Sequence, residues 1–196
     1  MAKFGSGAML GAIGLSVVVL TAGCAGGPAE PTPSDTSSTS TSSPAPTEST
    51  TPTPTASGTP LTLGCEQILS LQNVYDFNPN YSQDPAFKVP TPILPLTQIG
   101  GVACGWVNQT SGEKFAVGVA KPDEATQATV ANQAAAQYQA VPTYGTTGIE
   151  GYFGVQSGVG VATVFANGYW IVFVSEAFVE PGDAAHLVEG ALSNLQ

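Results

Sequence analysis

The stretch VGVATVFANGYWIVFVSE, Val159–Glu176, decides the fold. Asn167-Gly168 divides two runs of β-branched and aromatic residues, and both positions of a two-residue type I′ turn need positive φ. The pair therefore predicts a hairpin of Val159–Ala166 and Tyr169–Glu176 with Phe165 opposite Trp170. That register puts Val161, Thr163, Val172 and Val174 on the face of Phe165 and Trp170. Ala162, Val164, Tyr169, Ile171 and Phe173 fall on the other. Two apolar faces require cover on both sides.

Outward from the hairpin the other elements follow. Pro181-Gly182-Asp183 opens a terminal helix with Ala184, Leu187, Val188, Ala191, Leu192 and Leu195 inward. Upstream, Val102–Asn108 and Lys114–Ala120 read as strands joined at Thr110-Ser111-Gly112. Pro122, followed by Asp123 and Glu124, predicts a helix reaching about Gln139, with a small-residue stripe of Ala125, Ala128, Ala131, Ala135 and Tyr138 against the sheet. Cys65-Glu66 begins a short helix with Ile68, Leu69 and Gln72 on the face of Cys65. The five prolines between Asn78 and Pro95 make a long ordered loop, with a helical turn near Leu96. Residues 61–196 are thus expected to form a single α+β domain, an antiparallel sheet covered by helices as an α/β/α sandwich.

The first sixty residues are of another kind. Lys3 precedes an apolar run, Ala8–Leu20, too short as a helix for the ~30 Å hydrocarbon core, and small residues follow it. This reads as a secretory signal over residues 1–23. Ala22-Gly23-Cys24 resembles the lipobox of bacterial lipoprotein signals, with Thr21 where that family usually carries leucine. The resemblance implies diacylglycerol on the Cys24 thiol, and two acyl chains suffice for stable anchoring. The alternative is an ordinary secretory peptide, or an uncleaved anchor, with Cys24 incidental. Cysteine parity favours lipidation: Cys65 and Cys104 can pair in an exported domain, and the odd thiol is the one in the lipobox. Two free buried thiols are the alternative to that pair.

Residues 24–60 read as a tether. From Pro28 to Pro60, 26 of 33 residues are Ser, Thr or Pro. Such a segment buries too little apolar surface to offset its ordering entropy, so disorder is expected.

Composition excludes several functions. The chain has 196 residues, 14 acids, 4 lysines, no arginine and one histidine, with a net charge of −10. Nucleic acid is excluded as a partner because it needs a basic surface. A two-histidine metal site is ruled out by count, and no cofactor is expected.

The layout as a whole resembles actinobacterial cell-surface lipoproteins that carry a C-terminal domain of unknown function. The carrying features are the lipobox, the Ser/Thr/Pro tether, Cys65-Glu66-Gln67-Ile68-Leu69, Cys104-Gly105-Trp106 on a strand, the Gly148–Phe153 segment, the hairpin and the terminal helix. Such domains are similar to PsbP-like sandwiches, an analogy of fold that implies no activity.

Individual motifs add little chemistry. Ser111-Gly112-Glu113-Lys114 has the S-x-x-K spacing of penicillin-recognising enzymes but sits in a turn, without the companion motifs. His186 between Asp183 and Glu189, and the acids Glu176, Glu180 and Asp183, read as solvated faces. Tyr75, Tyr81, Tyr144 and Tyr152 are the candidate ligand-binding residues, since loop aromatics on a charge-poor surface can form a cleft. They serve equally well as lids of the core. The sequence therefore points to a non-catalytic binding or interaction module, lipid-anchored at the outer face of the cytoplasmic membrane. The alternative is an envelope hydrolase or transferase using carboxylates such as Glu150 or Glu176 in a cleft.

Overall fold

A computed structural model describes residues 55–145 and 147–196. The signal, Cys24 and the tether up to residue 54 lie outside the described residues.

At the centre stand β7 (Val159–Ala166) and β8 (Tyr169–Ser175). Asn167 has φ 51° and Gly168 φ 79°, and Phe165 pairs with Trp170, the register that the Asn-Gly turn predicts. β8 continues antiparallel onto β4 (Lys114–Pro122), and β4 onto β3 (Val102–Asn108). β2 (Tyr81–Gln83) closes that edge; β6 (Glu150–Gln156) and the two-residue β5 (Gln139–Ala140) close the other. The sheet order is β2-β3-β4-β8-β7-β6-β5, with β1 (Gly58–Thr59) added on β4 as an eighth strand. Every pairing is antiparallel, and helices complete an α+β fold.

Both faces of the hairpin are covered. On the first, Ala162, Val164, Ile171 and Phe173 meet Ile68, Leu69 and Val74 together with Leu187, Val188 and Ala191. These come from α1 (Cys65–Ile68) and its exit, α2 (Leu71–Phe77) and α5 (Pro181–Asn194). The expected first helix is broken in two. Ser70 caps α2, its hydroxyl accepting the Asn73 N–H at 3.1 Å while its own N–H donates to Asn73 Oδ1 at 3.0 Å. Cys65 and Cys104 form a disulfide with Cα atoms 5.7 Å apart, fastening α1 to β3. Trp106 stacks on Phe115 with centroids 4.9 Å apart, and Phe77 meets the same ring edge-on.

On the second face Val161, Val172 and Val174 meet Ile93, Leu96 and Ile99. These belong to a 3-10 turn, Thr91–Ile93, and to α3 (Leu94–Gln98), so the proline-rich connection is a packed layer. It lies close because the strands beneath it carry glycine. A Cβ on Gly118 would come within 2.5 Å of Ile93, and one on Gly105 within 2.1 Å of Phe87.

The helix after β4 differs from its expected form. Pro122 ends the strand, and α4 spans Glu124–Gln137 from its cap at Asp123. The stripe is also rotated. Ala125, Ala128 and Ala135 are exposed, while Thr126 and Ala134 are buried. An alanine stripe buries too little area to set the rotation; the bonds at the helix start set it. Asp123 Oδ1 accepts the Thr126 N–H at 2.8 Å, and Thr126 Oγ1 accepts the Ser57 N–H at 3.0 Å. α4 is thus hung from its first turn and from β1, and little of it is pressed into the core.

Candidate functional site

A deep concavity lies beneath α4. It is a cleft of about 660 Å³ on the second face of the sheet, walled by α4 on one side and by the Thr91–Pro95 segment on the other. Such a volume is within the ~300–1,000 Å³ of small-molecule sites. Its floor is the hairpin: Val161, Thr163 and Val172 are buried and Trp170 is half-buried. The Trp170 indole N–H donates to Thr163 Oγ1 at 3.0 Å, so the central donor is already satisfied and the floor behaves as apolar. Around the exposed mouth stand Thr91, Thr129, Gln133, Gln137 and Gln156, all neutral.

Asp123 is the single ionisable acid or base of the lining apart from the half-buried phenol of Tyr138, which burial pushes up. Both carboxylate oxygens of Asp123 are engaged, one by the Thr126 N–H and one by the Ser57 hydroxyl. These bonds, the Ser57 one foremost, hold its carboxyl below the ordinary carboxylate value. The cleft therefore presents an apolar bed, a neutral hydrogen-bonding rim and one charge, the Asp123 carboxylate fixed at the start of α4.

The four candidate tyrosines do not meet in one place. Tyr75 is exposed and Tyr81 half-buried, and they share a smaller cavity of about 280 Å³ with Trp106 and Leu71. Burial raises the Tyr81 phenol pKa, helped by the charge of Glu113. Tyr144 is buried among the core residues, and its hydroxyl donates to the Pro181 carbonyl at 2.7 Å. Desolvation, with the Asp183 charge second, raises its pKa strongly. Tyr152 is half-buried on β6, its hydroxyl donating to Glu150 Oε2 at 3.2 Å; burial and then the Glu150 charge raise its pKa. Cys24 lies outside the described residues.

The acids weighed for catalysis stand in open water. Glu150 and Glu124, both exposed, line a shallow depression beside the Asn167-Gly168 turn. Glu176, also exposed, lines a cleft of about 520 Å³ with Asp84, Glu113 and Lys114. There Asp84 bonds the Lys114 ammonium at 2.7 Å, and that bond with the Ala86 N–H holds its carboxyl low. Ser111 donates to Glu113 at 2.8 Å within its turn. His186 is exposed, and Asp183 Oδ2 accepts the Val179 and Glu180 N–H groups at the start of α5. Among the described residues no group of three or more His, Cys, Asp or Glu side chains gathers to hold a metal. None of their helices is long and apolar enough to cross a membrane.

No local pattern in the sequence marks the cleft under α4. The available signal was a helix of Ala, Thr and Gln lying across strands that carry Thr163 and Trp170: such a cover has no large side chains to fill the space beneath it. Compared with family models, curated proteins and solved structures, the chain matches none.

Proposed function

We propose that this chain is an exported, lipid-anchored envelope protein whose folded domain is a non-catalytic binding module, with the cleft beneath α4 as its binding site. Cys24 carries the acyl chains, the Ser/Thr/Pro segment is a disordered tether, and the domain stands at the outer face of the cytoplasmic membrane as an α/β/α sandwich. The layout's similarity to actinobacterial surface lipoproteins belongs to the same reading. One observation carries the binding role: a 660 Å³ apolar cleft in which the one carboxylate is committed to capping a helix. Acid–base or nucleophilic chemistry needs convergent ionisable groups, and this lining offers a ligand contacts rather than reagents.

Two measurements on the full-length protein test the two parts. In the host membrane fraction, Cys24→Ala is expected to release the protein into the soluble fraction; unchanged membrane retention overturns the anchor. The neutral dye N-phenyl-1-naphthylamine is expected to brighten on the wild type and to lose most of that signal on Thr129→Trp, an exposed position lining the cleft. A wild type that leaves the dye dark overturns the binding role.

A further inference from the structure

Resting on that reading, we infer that the ligand is a neutral single-chain amphiphile: an acyl chain bearing an uncharged, hydroxyl-rich head, of the monoacylglycerol or glycolipid kind. The cleft has two zones. Its buried zone is hydrocarbon-like, with Val161 and Val172 on one face of the hairpin, Ala134 from α4, and Trp170 with its N–H already bonded to Thr163. An alkyl chain laid there gains roughly 0.8 kcal/mol per CH₂ removed from water. Its exposed zone carries the Gln133, Gln137 and Gln156 carboxamides and the Thr91 and Thr129 hydroxyls. These groups both donate and accept, which suits a head of hydroxyls.

Charge decides the class of head. No lysine or histidine lines the cleft, and residues 61–196 hold 11 acids and 3 lysines, a net of −8. A fatty-acid carboxylate or a phosphate at this exposed rim would meet no cation and would be repelled by the net negative charge of the domain. A cationic head would meet one anion, the Asp123 carboxylate, which keeps its charge while accepting the Thr126 N–H and the Ser57 hydroxyl. An uncharged head needs no counter-ion and is served by the carboxamides and hydroxyls of the rim alone.

The source of the amphiphile is the membrane beside which the domain is tethered. Thr55 and Ala56, where the described chain begins, lie on the lining of this same cleft. Thirty-one positions separate Thr55 from Cys24. That number of residues spans at most ~110 Å, so on the proposed anchoring through Cys24 this end of the cleft stays within that reach of the bilayer.

Displacement of N-phenyl-1-naphthylamine from the full-length protein at pH 8 tests the inference, using monomyristoylglycerol and myristate, both below their aggregation concentrations. Monomyristoylglycerol is expected to displace the dye at a concentration at least about tenfold below myristate. Thr129→Trp should raise the concentration needed at least about tenfold. Ala135→Trp, equally exposed on α4 but off the lining, should leave it unchanged. Melting curves confirm that both variants fold. Myristate, or the cationic probe tetradecyltrimethylammonium, displacing as well as or better than the glyceride overturns the neutral head, while binding itself stands. Dye binding that neither lipid disturbs overturns the amphiphile, and a protein that never binds the dye overturns the binding role beneath it.

Discussion

Tyr144 shows how a single residue's environment sets its duty. A loop aromatic beside a glycine invites assignment to a ligand, and nothing in the sequence of Pro142–Gly145 says that the chain turns it inward. The core receives the ring, and the Pro181 carbonyl receives its hydroxyl proton. The consequence is testable. Because burial raises its pKa above the ordinary 10, the folded protein keeps this proton at pH values where the unfolded chain gives it up. Its contribution is therefore complete below pH 10 and is lost as pH rises through and beyond that value. Tyr144→Phe removes the hydroxyl and leaves the Pro181 carbonyl without its donor. At neutral pH, urea unfolding should show the variant less stable by about 1 kcal/mol. Above pH 10 the gap to wild type should narrow. A gap that stays constant to pH 11 overturns the assignment.

Among the elements, the hairpin and α4 mark the limits of what patterning can say. Asn167-Gly168 is self-sufficient: only one turn type suits it, and that turn fixes the register of every residue on either side. α5 is nearly as legible, because Leu187, Val188 and Ala191 define one face unambiguously. α4 gives no comparable instruction. Its alanines lie on several sides, so rotation is decided by two contacts distant in sequence, Ser57 to Thr126 and Ser57 to Asp123, which no local pattern reports. The cleft exists for the same reason: a helix positioned at its end and not by its side leaves room underneath. Hydrogen exchange should register this, with α4 amides exchanging faster than those of α5. Asp123→Ala, which removes the cap and the Ser57 bond together, should accelerate exchange in α4 several-fold and leave α5 unaffected. Equal acceleration in both helices would mean that α4 is an integral part of the core.

For the molecule as a whole, the sequence conveyed the α+β class and the antiparallel hairpins, because alternation and turns are local. The eight-strand order was not legible: β8 joining β4, and Gly58-Thr59 adding to β4, are pairings between distant segments. The bond from Cys65 to Cys104, 39 positions apart, holds the first helix to β3 and closes a loop that includes the proline-rich layer. Closing such a loop is worth roughly 4 kcal/mol in the chain-entropy account. The double variant Cys65→Ala, Cys104→Ala should unfold at lower urea concentration by about that free energy, with the hairpin's far-UV signature retained in the native baseline. A loss below about 1 kcal/mol would show that the packed layer needs no covalent fastening.

The same bond dictates how the domain meets mechanical load. A pull arriving along the amino-terminal polypeptide first strains Ser57 and the two residues of β1, then Cys65. From there the tension jumps through sulfur to Cys104, so Glu66–Ala103 carry none of it. Stretching would strip the cap from α4 and slacken the wall of the cleft before it reached the strands beyond Cys104.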